Sequence, residues 1–238
     1  MTLLVLDLKT VPDPAVGKRL LALEKFSDAE AILAMKTLRV AAHQSAAVPC
    51  LQRRVVAAAL VVVSAEHFAV EEFVAAASEA EMLAAIERCV PATQASVWAW
   101  DAVANTRTQL LARALATGVA MPALLSAQGP QGLAAHFGFQ RGAAPLEELA
   151  AVHALPHRLG LRTADAEAAH ARGDADKLRG GSAVDALIAY LLGVALKAAT
   201  GEISQAARLA ARQQVCNWLA EQTAPHWQQF HAAWKATT

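Results

Sequence analysis

The distribution of apolar residues along the chain constrains the fold more than any other feature of the sequence. Two runs of branched apolar residues, TLLVLDL at 2–8 and VVAAALVVV at 55–63, are typical of strands buried in a sheet. Further strands are predicted within HFAVEEFV and ASVWAWDAV, and helical periodicity dominates from Thr106 onward. Strands first and helices second predict an α/β fold, in which a mixed sheet is flanked by helices and the C-terminal half is largely helical.

Size and composition indicate a folded globular protein. The 238 residues suit one large domain, placed at 1–238, with a strand-rich part at 1–105 and a mainly helical part at 106–238. Hydrophobic residues make up 55% of the chain and charged residues 18%, which excludes a disordered protein. No basic-then-apolar leader precedes the first strand, and the run at 55–63 is too short to cross a bilayer. We therefore expect a soluble, cytoplasmic protein with no membrane partner.

The charges of the chain are balanced. Lys and Arg together number 21, as do Asp and Glu, so the formal net charge is zero. Overall electrostatics therefore gives no support for strong nucleic-acid binding, although a local basic groove stays open. The candidates for nucleic-acid contact in such a groove are Arg53, Arg54, Arg107 and Arg113, and an ordinary solvated arginine is the alternative interpretation of each.

Local signals predict where some helices begin. Ser27 and Glu30 have the spacing of a capping box, which predicts a helix start there. The pair Gly180–Gly181 predicts a loop, so the apolar helix DALIAYLL is expected to begin at Asp185.

Common cofactor and nucleophile motifs are absent from the sequence. It contains no GxGxxG, P-loop, HExxH or GxSxG, and its three cysteines are isolated from one another. What remains is a set of acids at the ends of predicted elements, namely Asp7, Asp101 and Asp185. Such acids can converge on one cleft, as two-metal phosphodiester sites require, but those sites use about four carboxylates. From spacing alone, a helix cap is the alternative interpretation of each acid.

Six segments, in order along the chain, resemble those of a known family. They are LDLKTVPD, SDAEAILAM, LQRRVVAAALV, VWAWDAVANTRTQLLARA, PLEELAAV and GSAVDALIAYLLGVALKAATGEIS. The chain resembles the predicted 3′-5′ exonucleases related to the exonuclease domain of family B DNA polymerases, a branch of the ribonuclease H-like DEDD superfamily. The resemblance covers nearly the whole length. It implies a ribonuclease H-like fold and, in an active member, phosphodiester hydrolysis that depends on Mg²⁺ or Mn²⁺.

The resemblance implies that two of the four metal carboxylates are replaced. The family's first motif, D-x-E, supplies two ligands; Asp7 matches the first and Lys9 stands in place of the second. In the second motif Thr106 stands at the position of the Asp, and Asp101 stands at the position of an Asn. Asp101 is a candidate substitute ligand, because it could approach from the same loop.

The third motif keeps its acid and loses its tyrosine. Asp185 matches a metal-binding Asp, whereas Gly181 stands where the family has the Tyr that positions the attacking water. Because side chains alternate along a strand, Asp7 and Lys9 share a face, and Lys9 can pair with both acids if Asp185 converges there. We hypothesise that Lys9 occupies the position of the lost metal. We then expect no cofactor, with Asp7 and Asp185 binding Mg²⁺ or Mn²⁺ only in an active enzyme.

Three functions are open at this point. The first is a degenerate 3′-5′ exonuclease-like domain that has lost hydrolysis but keeps a groove for single-stranded nucleic acid or a protein partner. The second is an active Mg²⁺- or Mn²⁺-dependent 3′-5′ exonuclease with an altered ligand set. The third is an interaction or scaffold protein that uses its Ala-rich helical half to form homo-oligomers, which the zero net charge favours slightly.

Overall fold

The sheet has the mixed topology that the order of elements predicts. A computed structural model describes residues 2–64, 67–75, 78–90, 95–100, 106–125, 131–136 and 146–237. Within these ranges, one sheet contains the strands β1 (Thr2–Pro12), β2 (Arg53–Val63), β3 (Phe68–Val74), β4 (Ala95–Ala99) and β5 (Gln131–Gly132). The strand order is β3-β2-β1-β4-β5. Strands β1, β4 and β5 run parallel to one another, whereas β2 is antiparallel to both of its neighbours. The predicted α/β fold is confirmed, and it is consistent with a ribonuclease H-like exonuclease.

Helices flank this sheet. Over the described ranges they are α1 (Pro14–Leu21), α2 (Asp28–Ala41), α3 (Glu79–Cys89), α4 (Arg107–Thr117), α5 (Pro122–Leu125), α6 (Leu133–His136), α7 (Leu146–Val152), α8 (Thr163–Ala171), α9 (Ala175–Ala199), α10 (Gln205–Ala220) and α11 (Pro225–Lys235). The predicted capping box is present at α2, where the backbone N–H of Ser27 donates to Glu30 Oε2 at 2.8 Å and the N–H of Glu30 donates to Ser27 Oγ at 3.3 Å.

The alternation of side chains along β1 divides the core in two. Leu4 and Leu6 are fully or almost fully buried in a cluster with residues of α3 and α4, whereas Val5 is buried in a cluster with residues of α9. The side chains of Asp7 and Lys9 lie on the same face of β1 as that of Val5, because side chains two residues apart in a strand point the same way. β1 therefore delivers both charged side chains to α9.

A β-bulge lies beside these residues. Lys9 is opposite Ala57 and Thr10 is opposite Val55, so Val56 on β2 has no direct partner on β1. Val56 and Ala57 both contribute to the same buried cluster, and successive side chains therefore face one side of the sheet here. The bulge therefore allows both side chains to pack against α8 and α9, next to the end of β1 that carries Asp7 and Lys9.

The long helix α9 is the central helix of the fold, and its start differs from the prediction. It begins at Ala175, after the N-cap Asp174, so Gly180 and Gly181 lie inside the helix and Asp185 lies ten residues beyond its start. The glycines are required by close packing, because a Cβ at Gly180 would press on the ring of His226 and one at Gly181 would overlap Leu161. Tertiary packing has overridden the low helix propensity of glycine.

α9 also has the length and composition of a membrane-spanning helix. Its most apolar window has a mean hydropathy of 1.6, and 72% of that window is buried inside the protein. Because it packs against β1, β2 and β3, its apolar character is explained by its place in the core.

Candidate active-site cleft

A cleft of about 410 Å³ opens beside β1 and α9. It brings together residues from three of the predicted motifs, which are distant in sequence. Among the polar residues that line it are Asp7, Lys9, Arg53, Thr106, Gln109 and Asp185. β1 carries the first two, the start of α4 carries Thr106, and the interior of α9 carries Asp185.

Lys9 is the buried positive centre of this cleft. Its Nζ lies 2.5 Å from Asp185 Oδ2 and 3.0 Å from Asp7 Oδ2. The side chain of Lys9 is 9% exposed, and those of Asp7 and Asp185 are 18% and 13% exposed. One ammonium thus bridges two carboxylates that are 178 positions apart in the chain, from residue 7 to residue 185, at a site with little access to water.

Each carboxylate has a further hydrogen-bond donor. The hydroxyl of Ser182, on α9, donates to Asp7 Oδ2 at 2.7 Å. The backbone N–H of Leu161 donates to Asp185 Oδ2 at 3.0 Å, and Gly160 lies so close to Asp185 that a Cβ there would overlap its carboxylate. Both acids are therefore held in place by the protein, which reduces the cost of burying them.

Burial and neighbouring charges have opposing effects on the pKa values of Lys9 and Asp185. Burial by itself would lower the pKa of Lys9, but the attraction of Asp185 and of Asp7, with their hydrogen bonds, outweighs it and raises that pKa above its ordinary value. Burial raises the pKa of Asp185, and the Asp7 carboxylate raises it further, against the opposite influence of Lys9. Lys9 is thus a firmly protonated ammonium, and it is unsuited to act as a nucleophile or a general base near neutral pH.

These residues do not fit a divalent metal ion. The carboxylate oxygens that would be ligands already contact the ammonium of Lys9, which would repel a cation at the same place. Over the described ranges, no group of three or more His, Cys, Asp and Glu side chains is placed to hold a metal ion. Asp101, the candidate substitute ligand, lies outside the described residues.

Of the two other positions at which the resemblance implies a replaced residue, Thr106 lines the cleft and Gly181 is buried in α9. Thr106 lies directly before α4, lines the cleft and offers a hydroxyl instead of a carboxylate. Gly181 lies one helical turn before Asp185, and Leu161 fills the space beside it. A side chain at residue 181 would have to displace Leu161, whose N–H binds Asp185.

Two of the predicted arginines are used inside the protein. Arg53 is 5% exposed; its Nε donates to Thr10 Oγ1 at 2.9 Å, and its Nη1 lies 2.9 Å from Glu167 Oε1. Arg113 is 7% exposed and pairs with Asp13 at 2.8 Å and with Glu79 at 2.5 Å.

The other two arginines are more accessible. Arg54 is half-buried, with its Nη2 3.1 Å from Nε2 of His170, and Arg107 is exposed on the first turn of α4, next to Thr106. A role of these arginines in nucleic-acid binding stays a prediction.

Sequence reasoning missed the groups that hold the acids in place. Ser182 lies three residues before Asp185 on α9, and this helical spacing was the one available signal for it. The sequence carries no signal for the N–H of Leu161, because a tertiary contact creates its bond to Asp185. The same holds for the amide of Gln109, a cleft residue that donates to the backbone oxygen of Arg53 at 2.6 Å.

Comparison with known proteins supports the resemblance. Residues 131–234 match the model of a family described as predicted 3′-5′ exonucleases related to the exonuclease domain of PolB. The matched segment contains Gly181 and Asp185, whereas Asp7, Lys9 and Thr106 lie before it. Neither the comparison with curated proteins nor the comparison with solved structures gives a match.

Proposed function

Starting from the similarity of residues 131–234 to predicted 3′-5′ exonucleases, we propose that this chain is an exonuclease-like domain that no longer hydrolyses phosphodiester bonds and keeps its cleft for binding. The observation that carries the proposal is the Lys9 ammonium, which contacts both Asp7 and Asp185.

The charge of the cleft supports the loss of hydrolysis. Two-metal hydrolysis holds two divalent cations about 4 Å apart between several carboxylates. Asp7 and Asp185 contribute two negative charges, and Lys9 cancels one of them. A metal ion could enter only if the ammonium left, which would break two buried ion pairs. Metal binding and the observed arrangement therefore exclude each other.

The surroundings of Gly181 support the same conclusion. Glycine has no side chain with which to position an attacking water. The space beside it is filled by the side chain of Leu161, which is apolar and cannot position a water.

A nuclease assay tests the loss of activity. Labelled single-stranded DNA and RNA are incubated with the protein in Mg²⁺ and in Mn²⁺, with Asp185→Asn as the matched control. We expect no more product from the wild-type chain than from the control. Metal-dependent product that Asp185→Asn abolishes would show that the enzyme is active and the proposal wrong.

Calorimetric titration with Mn²⁺ tests the charge argument directly. We expect no saturable binding by the wild-type chain. Tight binding of two ions per chain would contradict the role assigned to Lys9.

For the retained cleft, we propose single-stranded nucleic acid as the ligand. Exposed Arg107, next to Thr106 at the cleft, supports this. The internal ion pair of Arg53 and the two carboxylates that face the one ammonium of Lys9 make the binding weak. Because phosphate contacts release counterions, the affinity should fall as salt rises.

Electrophoretic binding at low and high salt tests this ligand. Arg107→Gln should weaken binding and reduce its salt dependence, whereas Arg19→Gln, which removes an exposed arginine from α1, should change neither. Absence of binding at low salt would favour a protein partner instead.

A further inference from the structure

Two arginines on α10 lie outside the cleft and form no ion pair with an acid in the described residues. Arg208 and Arg212 are four residues apart, so they share one face of the helix, with about 5–6 Å between their Cβ atoms. In the described part of the chain, neither guanidinium lies within 4.0 Å of a carboxylate, although Arg162 and Arg179 each have such a partner.

Both side chains are held against the protein. The Arg212 guanidinium carbon lies 4.9 Å from the ring centroid of Trp234, a buried residue of α11. Nη1 of Arg208 donates to Gln205 Oε1 at 3.3 Å. Both arginines are half-buried, so they are placed more firmly than freely solvated side chains.

A third basic group approaches the same pair. His153, just after α7, is half-buried, and burial followed by the charges of Arg208 and Arg212 lowers its pKa. Burial and the charge of Arg208 likewise lower the pKa of Arg212. Arg208 and Arg212 therefore repel each other, whereas the lowered pKa leaves His153 mostly uncharged near pH 7. A like-charge pair four residues apart is mildly destabilising, and an anion bound between the two guanidinium groups would relieve that repulsion.

We propose that Arg208 and Arg212 form a binding site for a phosphate group. Guanidinium groups present planar pairs of N–H donors that match phosphate oxygens, and two of them on one helix face can grip a tetrahedral anion from two sides. The bound anion would replace the mutual repulsion with attraction. This site does not involve Asp7, Lys9 or Asp185, so it stands whether or not the cleft is active.

Calorimetric titration with inorganic phosphate, at constant ionic strength maintained with chloride, tests the site. We expect saturable binding of one phosphate per wild-type chain. Arg208→Gln/Arg212→Gln should weaken it at least about tenfold, the loss expected when more than 1.4 kcal/mol of charge-assisted contacts disappears. The control Arg179→Gln removes an arginine that pairs with Asp176 and should leave the affinity unchanged.

A second titration identifies the source of the phosphate group. Thymidylyl-(3′-5′)-thymidine replaces inorganic phosphate, because it carries one phosphodiester. Tighter binding of the dinucleotide indicates a nucleic-acid backbone, whereas tighter binding of phosphate indicates a free phosphate or a monoester.

Two results would overturn the proposal. One is a wild-type heat signal that does not saturate, and the other is equal affinity in the double variant. Should the double variant fail to fold, Arg208→Gln alone serves, because it leaves the contact between Arg212 and Trp234 intact. Removing one of two repelling charges should preserve or raise the melting temperature of Arg208→Gln in phosphate-free buffer.

Discussion

At the scale of single residues, Lys9 shows how a buried cation can be supplied by the chain itself. Removing charged groups from water costs several kcal/mol per ion, and the cost is offset only when geometry and hydrogen bonds are good. Here the ammonium has two carboxylates, and each carboxylate has one more donor, from Ser182 or from the backbone of Leu161. The site is therefore satisfied internally, and it depends on all of its members.

Replacing Lys9 with Met tests that dependence. The change leaves two buried carboxylates facing each other, so we expect the free energy of unfolding in urea to fall by about 3–5 kcal/mol. Lys36→Met, which breaks a more exposed pair with Glu167, should cost less than about 1 kcal/mol. Adding Asp185→Asn to Lys9→Met should recover part of the loss. Equal stability of Lys9→Met and the wild type would refute this account of the cleft.

Replacing Lys9 with Glu should create a binding site for a divalent cation at the place where the ammonium of Lys9 now prevents such binding. Three carboxylates would then converge, and a bound divalent ion would relieve their repulsion. We expect Mn²⁺ to raise the melting temperature of Lys9→Glu as its concentration rises, with no such shift in the wild type. Lys18→Glu makes the same charge change away from the cleft, at an exposed pair with Asp28, and should not respond. An unresponsive Lys9→Glu would mean that the acids are too far apart or too tightly bound elsewhere.

At the scale of elements, the contact between α9 and the segment before α8 positions an acid that lines the cleft. Leu161 packs on Gly181 with its side chain and binds Asp185 with its N–H. One short segment thus orients an acid and fills the space beside it. The position of Asp185 consequently depends on packing that lies outside the helix that carries it.

Gly181→Ala tests this packing. Helix propensity alone would favour alanine by about 0.5–1 kcal/mol, but the overlap with Leu161 should cost about 1–3 kcal/mol. We expect a net loss of stability in urea unfolding. A double-mutant cycle with Leu161→Ala should give a favourable coupling, because the smaller side chain makes room for the new methyl group. A Gly181→Ala protein more stable than the wild type would contradict the close packing.

The sequence predicted some elements well because their signals are local. The strands at 2–8 and 55–63 follow from continuous branched apolar runs, and the capping box at Ser27 follows from two side chains three residues apart. The predicted loop at Gly180–Gly181 is wrong, because glycine inside α9 is explained by tertiary contacts with His226 and Leu161. Strand alternation predicts that Asp7 and Lys9 share a face, whereas no local signal predicts the hydrogen bonds to the two acids, from Ser182 and from the N–H of Leu161.

At the scale of the whole molecule, ion pairs join elements that the sheet alone does not connect. Arg113 of α4 binds Asp13, which is also the N-cap of α1, and Glu79 at the start of α3. Lys9 similarly joins β1 to α9. Both cations sit at the same end of β1, so charge as well as apolar packing holds the helices around that strand.

The ion pairs of Lys9 should make stability fall at alkaline pH. The pKa of Lys9 is raised above its ordinary value of 10.5, so its contribution is complete below that pH and is lost as the pH rises toward the folded-state pKa. Burial also raises the pKa of Tyr190, to about 12, so ionisation of the unfolded chain above pH 10 adds a parallel loss.

Urea unfolding of the wild type and of Lys9→Met between pH 8 and 12 separates the two effects. The tyrosine contribution is common to both proteins and cancels in the difference. That difference should be constant at the lower pH values and should shrink above about pH 10.5. A constant difference up to pH 12 would exclude the titration of Lys9 as its source.

The packing of Leu161 on Gly181 also restricts which side chains these two positions can hold. A protein that carried an acid at residue 9 would still lack room for a large side chain at residue 181. Making that room requires a second change at Leu161, which would disturb the donor to Asp185 before any benefit appeared. The residues at positions 161 and 181 are therefore coupled: either can enlarge only if the other becomes smaller, so we expect the two positions to vary together.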